Sequence, residues 1–344
     1  MTTEETTFLA VLQEAFDQLK QKDALKIVRE KAFDHFLELG LPENYAPLKL
    51  LYEQDCVPNH TPDKVEVGAH LYPECKNSFF VFVNGVFEPS LSNWKALPKQ
   101  VVVLPLTDAA RSYSTFLQNR WSKALKEERD PFAILNLALH PCGLFLYVPP
   151  KLVIETPIQC LFINTTMSAL SFPRLHFFVA ADSQIQCAMT KTGGGFTCEV
   201  MDVALEERAQ LAQYKCSVSG FALSNLRATL KRESRLKSVS ATVGAPLHRE
   251  SYHATLAGEN SEVNLQGLWK LEGKQQAHTH ITIDHQAPHT KSMQKFKGVL
   301  SDFSRSSFEG KILVRPEAQK TEAYQLNNNL ILGEYAISAS KPNL

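Results

Sequence analysis

Four histidines fall within twelve residues, His278, His280, His285 and His289, and neutral imidazole is a good ligand for zinc and iron. On a strand, positions 278 and 280 project from one face about 7 Å apart, and Asp284 shares their parity, so two or three donors could converge on one metal. Pro288 marks a turn just beyond. Outward histidines on a β surface need no metal, so a surface role stands beside iron or zinc binding. The seven cysteines, Cys56, Cys75, Cys142, Cys160, Cys187, Cys198 and Cys216, are odd in number and scattered, without a Cys-x-x-Cys pair. Free thiols in a reducing compartment account for this most simply. Thiolates also ligate iron and sulfide if several converge. Cys187 and Cys198 are the two that adjacent strands could bring together, with Cys160 or Cys216 along the same stack; small cysteines filling a core are the alternative. No basic cluster lies beside any of them in sequence to create the low-pKa thiol that accepts a persulfide.

Other chemistries are excluded by spacing. Gly193-Gly194-Gly195 is followed by Phe196, without the Lys-Ser/Thr of a phosphate-binding loop, and reads as a flexible corner. Gly-x-Ser-x-Gly, His-Glu-x-x-His and dinucleotide fingerprints are missing, and the chain does not read as an ATPase. The basic run Lys231 to Lys237 is interrupted by Glu233 and has no aromatic residue, which suits a solvated edge better than RNA. Across 344 residues, 36 Lys and Arg balance 36 Asp and Glu. Electrostatics therefore gives no reason to expect nucleic acid or an anionic membrane as partner. Met1 to Phe8 is acidic and Thr-rich, and no apolar run approaches the roughly 20 residues that span a bilayer. A cytoplasmic location is expected.

The elements that must position these residues are legible in the periodicity. Phe8, Val11, Leu12, Phe16 and Leu19 recur at helical spacing, and a second helix is predicted from about Asp23 to Leu39, stopped by Gly40 and Pro42. Residues 43–76 read as polar loop. A strand pair, Phe79 to Asn84 and Val101 to Leu104, follows, then one helix from Asp108 to Leu139. From Leu144 onward short strands succeed one another with no room for crossover helices: Ile158 to Asn164, Leu175 to Ala180, Ser183 to Met189, Phe196 to Val203, Ala209 to Val218, Ala222 to Leu230, Leu236 to Val243, Ser251 to Leu256, Glu262 to Leu268 and Ala277 to Ile283. Val263 and Leu265 share a face, as do Ile281 and Ile283. The run Phe296 to Glu334 continues this pattern, with Glu309-Gly310 and Arg315-Pro316-Glu317 as turns. Asn327-Asn328-Asn329 suits a corner, because Asn tolerates left-handed backbone. A coil of about 20 residues would add two to four inward aliphatics, and coils are stable only when stacked. The fold class predicted is mainly β: a right-handed parallel β-helix, or solenoid, over 141–344, preceded by an N-terminal helical segment with a small strand pair over 1–140. A β-sandwich would also show many short strands.

The order of motifs narrows the choice. Lys297-Gly298-Val299-Leu300, Asp302, Arg305, Phe308 and Gly310-Lys311-Ile312 are followed by Ala318-Gln319-Lys320-Thr321-Glu322-Ala323, Gln325, Asn327 and Asn329 to Leu332. This resembles the last part of the SufB/SufD family of iron-sulfur cluster assembly proteins, which joins K-G-V-L-x-D-x-x-R-x-x-F-x-G-K-I to A-Q-K-T-[DE]-A-x-Q-x-N-x-N-L-L-L. Weaker likeness reaches back through Pro157-Ile158-Gln159 and Cys142 to Pro149 to the Phe-Val-Asn-Gly of residues 82–85. Asn-Leu-Ile-Leu in place of a nearby Cys-Asp pair resembles the SufD branch, and the family's aromatic W-x-Y element is missing after Pro42. Of the imidazoles, only His285 matches a recurrent family histidine.

What the resemblance implies is a non-enzymatic scaffold in a SufBCD-type complex, assembling and transferring clusters with a SufB-like paralogue and a SufC-type ABC ATPase; a homodimer is the other assembly considered. No intrinsic cofactor is expected, and iron or a cluster would pass transiently at the complex interface. The family continues beyond the equivalent of Lys341-Pro342-Asn343-Leu344 into a segment with a functional histidine and then C-terminal helices, so the chain is expected to be truncated and to lack that helical region. Outside the resemblance, two alternatives remain: a β-helix carbohydrate-active enzyme, and a metal-binding protein built on His278, His280, His285 and His289.

Overall fold

The computed structural model describes the backbone of residues 3–20, 25–41, 57–58 and 65–343. The beginning of the second predicted helix, residues 42–56 and 59–64 of the predicted loop, Cys56 and Leu344 lie outside the described residues. The chain winds as a parallel β-solenoid whose two sheets, of eleven and nine strands, face each other across the core. In the first sheet Phe196–Leu205, Phe221–Leu230, Leu247–Leu256, Gln276–His285, Arg305–Val314 and Ile337–Asn343 stack in parallel. Alternating with them in the second are Gln184–Thr192, Gln210–Ser217, Arg235–Val243, Glu262–Leu271, Lys291–Leu300 and Glu322–Ile331.

Each strand buries alternate residues. From Glu262–Leu271 the inward set is Val263, Leu265, Trp269 and Leu271, and opposite them Ile281 and Ile283 enter the same core. Each such side chain contributes roughly 1.5–3 kcal/mol. A coil is longer than the predicted 20 residues: the partners Phe221 and Leu247 are 26 apart, and Arg305 and Ile337 are 32 apart. Every coil holds two strands of up to ten residues and two corners, whereas the shorter estimate leaves room for little more than one.

One corner is built by a column of left-handed residues. Lys151, Asp182, Arg208, Glu233, Asn260, His289 and Lys320 all have φ between 57° and 62°. The N–H of each, through His289, donates to the carbonyl immediately preceding the next corner residue: Ala181, Glu207, Arg232, Glu259, Pro288 and Gln319. That ladder offsets the 1–2 kcal/mol that a left-handed conformation costs a residue with a Cβ. Asn327-Asn328-Asn329, read in sequence as a corner, instead lies within Glu322–Ile331, and Glu309-Gly310 lies within Arg305–Val314. Corner conformation here follows inter-coil hydrogen bonding more than residue type.

The three glycines at 193–195 do form a corner, but a crowded one. Gly193 has φ 87°, and a Cβ there would lie 2.0 Å from the Asn164 carbonyl oxygen. Gly193→Ala is therefore expected to destabilise the protein by about 3 kcal/mol through backbone strain and overpacking; a melting temperature within a degree of wild type would contradict that crowding.

Helices Thr3–Lys20 and Lys26–Leu39 pack through Phe16 and Phe33, whose rings stack at 4.3 Å, and Gly40, at φ 66°, ends the second. The single helix predicted over 108–139 is three, Leu106–Ser112, Ser114–Glu127 and Pro131–Leu139. The last break has a local cause: Pro131 occupies the first turn, and Asp130 Oδ1 accepts the Phe132 N–H at 3.0 Å. Pro131–Leu139 is buried along its length, and with the first two helices it covers Phe196, Cys198 and Leu223 on the outer face of the first sheet. The predicted strand pair separates. Phe79–Val83 runs parallel to Ile158–Ile163 in the second sheet, while Val102–Pro105 runs antiparallel to Leu144–Val148 in the first.

Candidate functional site

The four histidines do not share a centre. His278 and His280 stand on the outer face of Gln276–His285, while His285 follows the inward parity of Ile281 and Ile283. His278 Nδ1 lies 2.7 Å from Ser307 Oγ and its Nε2 3.1 Å from Gln276 Oε1. His280 Nδ1 is 3.5 Å from Glu309 Oε2. Both ring nitrogens of His285 are engaged, with Thr290 Oγ1 at 2.7 Å and Ser292 Oγ at 2.9 Å. His289 is a corner residue, and Asp284 is held by the Arg315 guanidinium at 2.8 and 3.1 Å. Among the described residues no group of three or more His, Cys, Asp or Glu is placed to hold a metal ion. Parity explains the separation, because an odd offset sends His285 to the opposite face.

The cysteines also divide. Cys187 points into the solenoid from the second sheet, whereas Cys198 packs outside the first sheet with its Sγ 3.4 Å from the Phe132 carbonyl. Cys160 shares the interior with Cys187, one coil away. Burial pushes the Cys187 thiol up to about 12, and raises Cys160 and Cys198 well above the usual range. These are neutral thiols at physiological pH, unsuited to nucleophilic attack without a change in their surroundings.

Unanticipated from sequence is a string of charges inside the solenoid. Lys191 lies 3.1 Å from Glu199 and donates to Ser224 Oγ at 2.6 Å. One coil on, Lys215 pairs with Glu250 at 2.8 Å and sits 5.1 Å from the centre of the Tyr252 ring. Glu250 also accepts from Ser240 Oγ at 2.8 Å and lies 3.4 Å from His248. All five charged or imidazole side chains are buried. Burial opposes ionisation of Lys215 and Glu250, but each overcomes it for the other: the Lys215 pKa is raised and that of Glu250 falls well below the carboxylate range. For Lys191, burial dominates and Glu199 only partly compensates, so its pKa falls. The sequence signal was slight. Leu211, Gln213, Lys215 and Ser217 alternate like a buried face, with a lysine where an aliphatic is usual.

At the far end of the described stack, Glu322–Ile331 and Ile337–Asn343 each have one sheet neighbour. Gln325, Asn327 and Asn329 take the inward positions of the last coil, and Leu330, Leu332, Tyr335 and Ile337 are exposed around its rim.

Fold and site together define a solenoid protein with a helical layer on one face and a charged interior. The model for the SufBD core domain of SUF-system FeS cluster assembly matches residues 162–344, and that for the SufBD N-terminal region matches 2–160. The chain belongs to the SufBD family of iron-sulfur cluster assembly proteins. It is 28% identical over 289 residues to a SufBD family protein of Synechocystis sp., covering 79% of this chain and 64% of that protein. To the iron-sulfur cluster assembly protein SufD of Escherichia coli it is 30% identical over 153 residues, covering 44% and 36%. To the chloroplastic protein ABCI7 of Arabidopsis thaliana it is 26% identical over 248 residues, covering 66% and 52%. The chain thus spans less than two thirds of the length of each of these relatives. Among the described residues, no helix is long and apolar enough to cross a membrane.

Proposed function

We propose that this chain is a SufD-like, non-enzymatic scaffold that supports iron acquisition, cluster assembly and cluster transfer together with a SufB-like paralogue and a SufC-type ABC ATPase. The observation that carries the reading is the two-part match to the family, core domain over residues 162–344 and N-terminal region over 2–160, on a parallel β-solenoid. Among the described residues, Leu330, Leu332, Tyr335 and Ile337 are exposed beside the last two strands, Glu322–Ile331 and Ile337–Asn343. A partner of the same fold would cover such exposed apolar side chains. Iron or a cluster is then cargo at the shared interface. The six described cysteines are free, in keeping with work in a reducing compartment, which we place in the cytoplasm.

Anaerobic co-purification of the chain with the paralogue and the ATPase from the same cell tests this reading, alongside a version extended through the family's C-terminal region. The paralogue is expected to co-purify in stoichiometric amount with both versions, and the ATPase with the extended one. Failure of both versions to retain either partner would leave the chain with the family's fold and a different role.

A further inference from the structure

Helix Ser114–Glu127 crosses the outer face of the first sheet and leaves a cavity of about 120 Å³ between them. Its charged lining comprises Arg120, Lys123, Arg174 and Arg227 against Glu127, Glu128 and Asp202. Three pairs form: Arg174 with Asp202 at 2.6 Å, Arg227 with Glu128 at 2.6 Å, and Lys123 with Glu127 at 3.6 Å. Every guanidinium nitrogen of Arg174 and Arg227 is engaged, the first residue by Asn136, His176 and Asp202, the second by Glu128 and the Leu226 and Ser251 carbonyls. Arg120 is the cation left over. It donates once, from Nη2 to the Val203 carbonyl at 3.0 Å, and rests 5.6 Å from the centre of the Phe116 ring. Among the described residues no carboxylate lies within ion-pair distance of it. His253, on the sheet wall of the same cavity, makes no hydrogen bond to the described residues.

We infer that this cavity is a binding site for a small oxyanion, a phosphate group held by Arg120 with His253 beside it. A guanidinium with unused donors, held at the wall of a cavity whose other charges cancel, leaves one net positive charge for a ligand to neutralise. Burial lowers the Arg120 pKa, and Asp202 and Glu206 only partly oppose this, so an anion would relieve a cost already present in the fold. The apolar part of the wall, Ala124, Ile134 and Val200, lowers the local dielectric beside the contact and strengthens it. The shared chemistry is the phosphate group, free or carried on a larger molecule.

The test is thermal denaturation with inorganic phosphate, and separately with AMP, against chloride at matched ionic strength, together with phenylglyoxal modification of Arg120 read by mass spectrometry. Phosphate is expected to raise the melting temperature and shield Arg120. Arg120→Met should weaken binding by tenfold or more, and Ala124→Leu, which fills the cavity while keeping the arginine, should do the same. An equal effect of AMP identifies a carried phosphate as a ligand, and an effect of phosphate alone identifies the free ion. Unaltered Arg120 labelling in phosphate, or a phosphate response no larger than that of chloride, overturns the assignment even should both variants fail to fold.

Discussion

Glu250→Leu is expected to lower the unfolding free energy by about 3–5 kcal/mol, the loss that follows when one partner of a buried ion pair is removed. Glu250 is the hub of the interior string: Lys215, Ser240 and His248 all face its carboxylate. Its removal would leave the Lys215 ammonium in the solenoid core with the Tyr252 ring and no adjacent carboxylate, since Glu199 acts on it only from a neighbouring position. Lys215→Met with Glu250→Leu should recover most of the loss, because two apolar side chains of similar volume fill the space without a charge to desolvate. Chemical denaturation of the two single variants and the double variant measures this. A single variant within 1 kcal/mol of wild type would show that water reaches the pair. Recovery in the double variant also separates the structural contribution of the string from any part it plays in assembly, which co-purification of the same variant would read.

Acid is expected to destabilise the protein well above the pH at which carboxylates titrate. Burial lowers the imidazole pKa of His176 and His278 to about 3 and that of His280 to about 4, against an ordinary value of 6.5. In the unfolded chain these groups take up protons as pH falls through 6.5, while in the folded chain they remain neutral. Unfolding therefore gains protons, and stability falls with pH across the window from about 6.5 to about 4. Each such imidazole contributes about 1.4 kcal/mol per pH unit below its unfolded pKa, so these three together approach about 4 kcal/mol per unit, and His140, His248, His253 and His285, also lowered by burial, add to it. The buried carboxylates Asp202 and Glu250, whose pKa values are depressed by Arg174 and Lys215 respectively against the cost of burial, begin to add to the loss only nearer pH 4. Denaturation curves from pH 7 to 4.5 should show this slope, reduced in His278→Asn/His280→Gln by the share of two imidazoles, about 3 kcal/mol per pH unit. Constant stability between pH 7 and 5 would mean that these imidazoles are hydrated in the folded protein.

Much of this architecture was legible without coordinates. Alternation such as Val263-Asn264-Leu265 is local, and every predicted strand from Leu144 to Ile283 is found within a few residues of its place. The two helices before Gly40 were equally plain. What misled were residue types read for their habits: an Asn triplet taken as a corner sits within a strand, while the corners go to Lys151, Asp182, Arg208 and Glu233 under inter-coil hydrogen bonds that no local signal records. The site was far less legible. Four nearby histidines suggested one centre, yet parity divides them, and the charged string is assembled from lysines and glutamates up to 59 positions apart, from Lys191 to Glu250.

The sequence by itself determined a long run of short strands behind a helical beginning, and its motif order pointed to the family and through it to a stacked β-solenoid, because strand periodicity and linear motifs are properties of neighbouring residues. Tertiary structure decided which surface of each strand is buried. Inside, the two sheets bring Lys191, Glu199, Lys215 and Glu250 into contact across the core. Outside, the N-terminal helices fold back on the first sheet and bury polar residues at outward parity, Arg174, His176, Asp202 and Arg249 among them. Such pairings join residues scores of positions apart, as with Glu128 and Arg227, and only the winding of the coils and the docking of the helices place them within hydrogen-bonding distance.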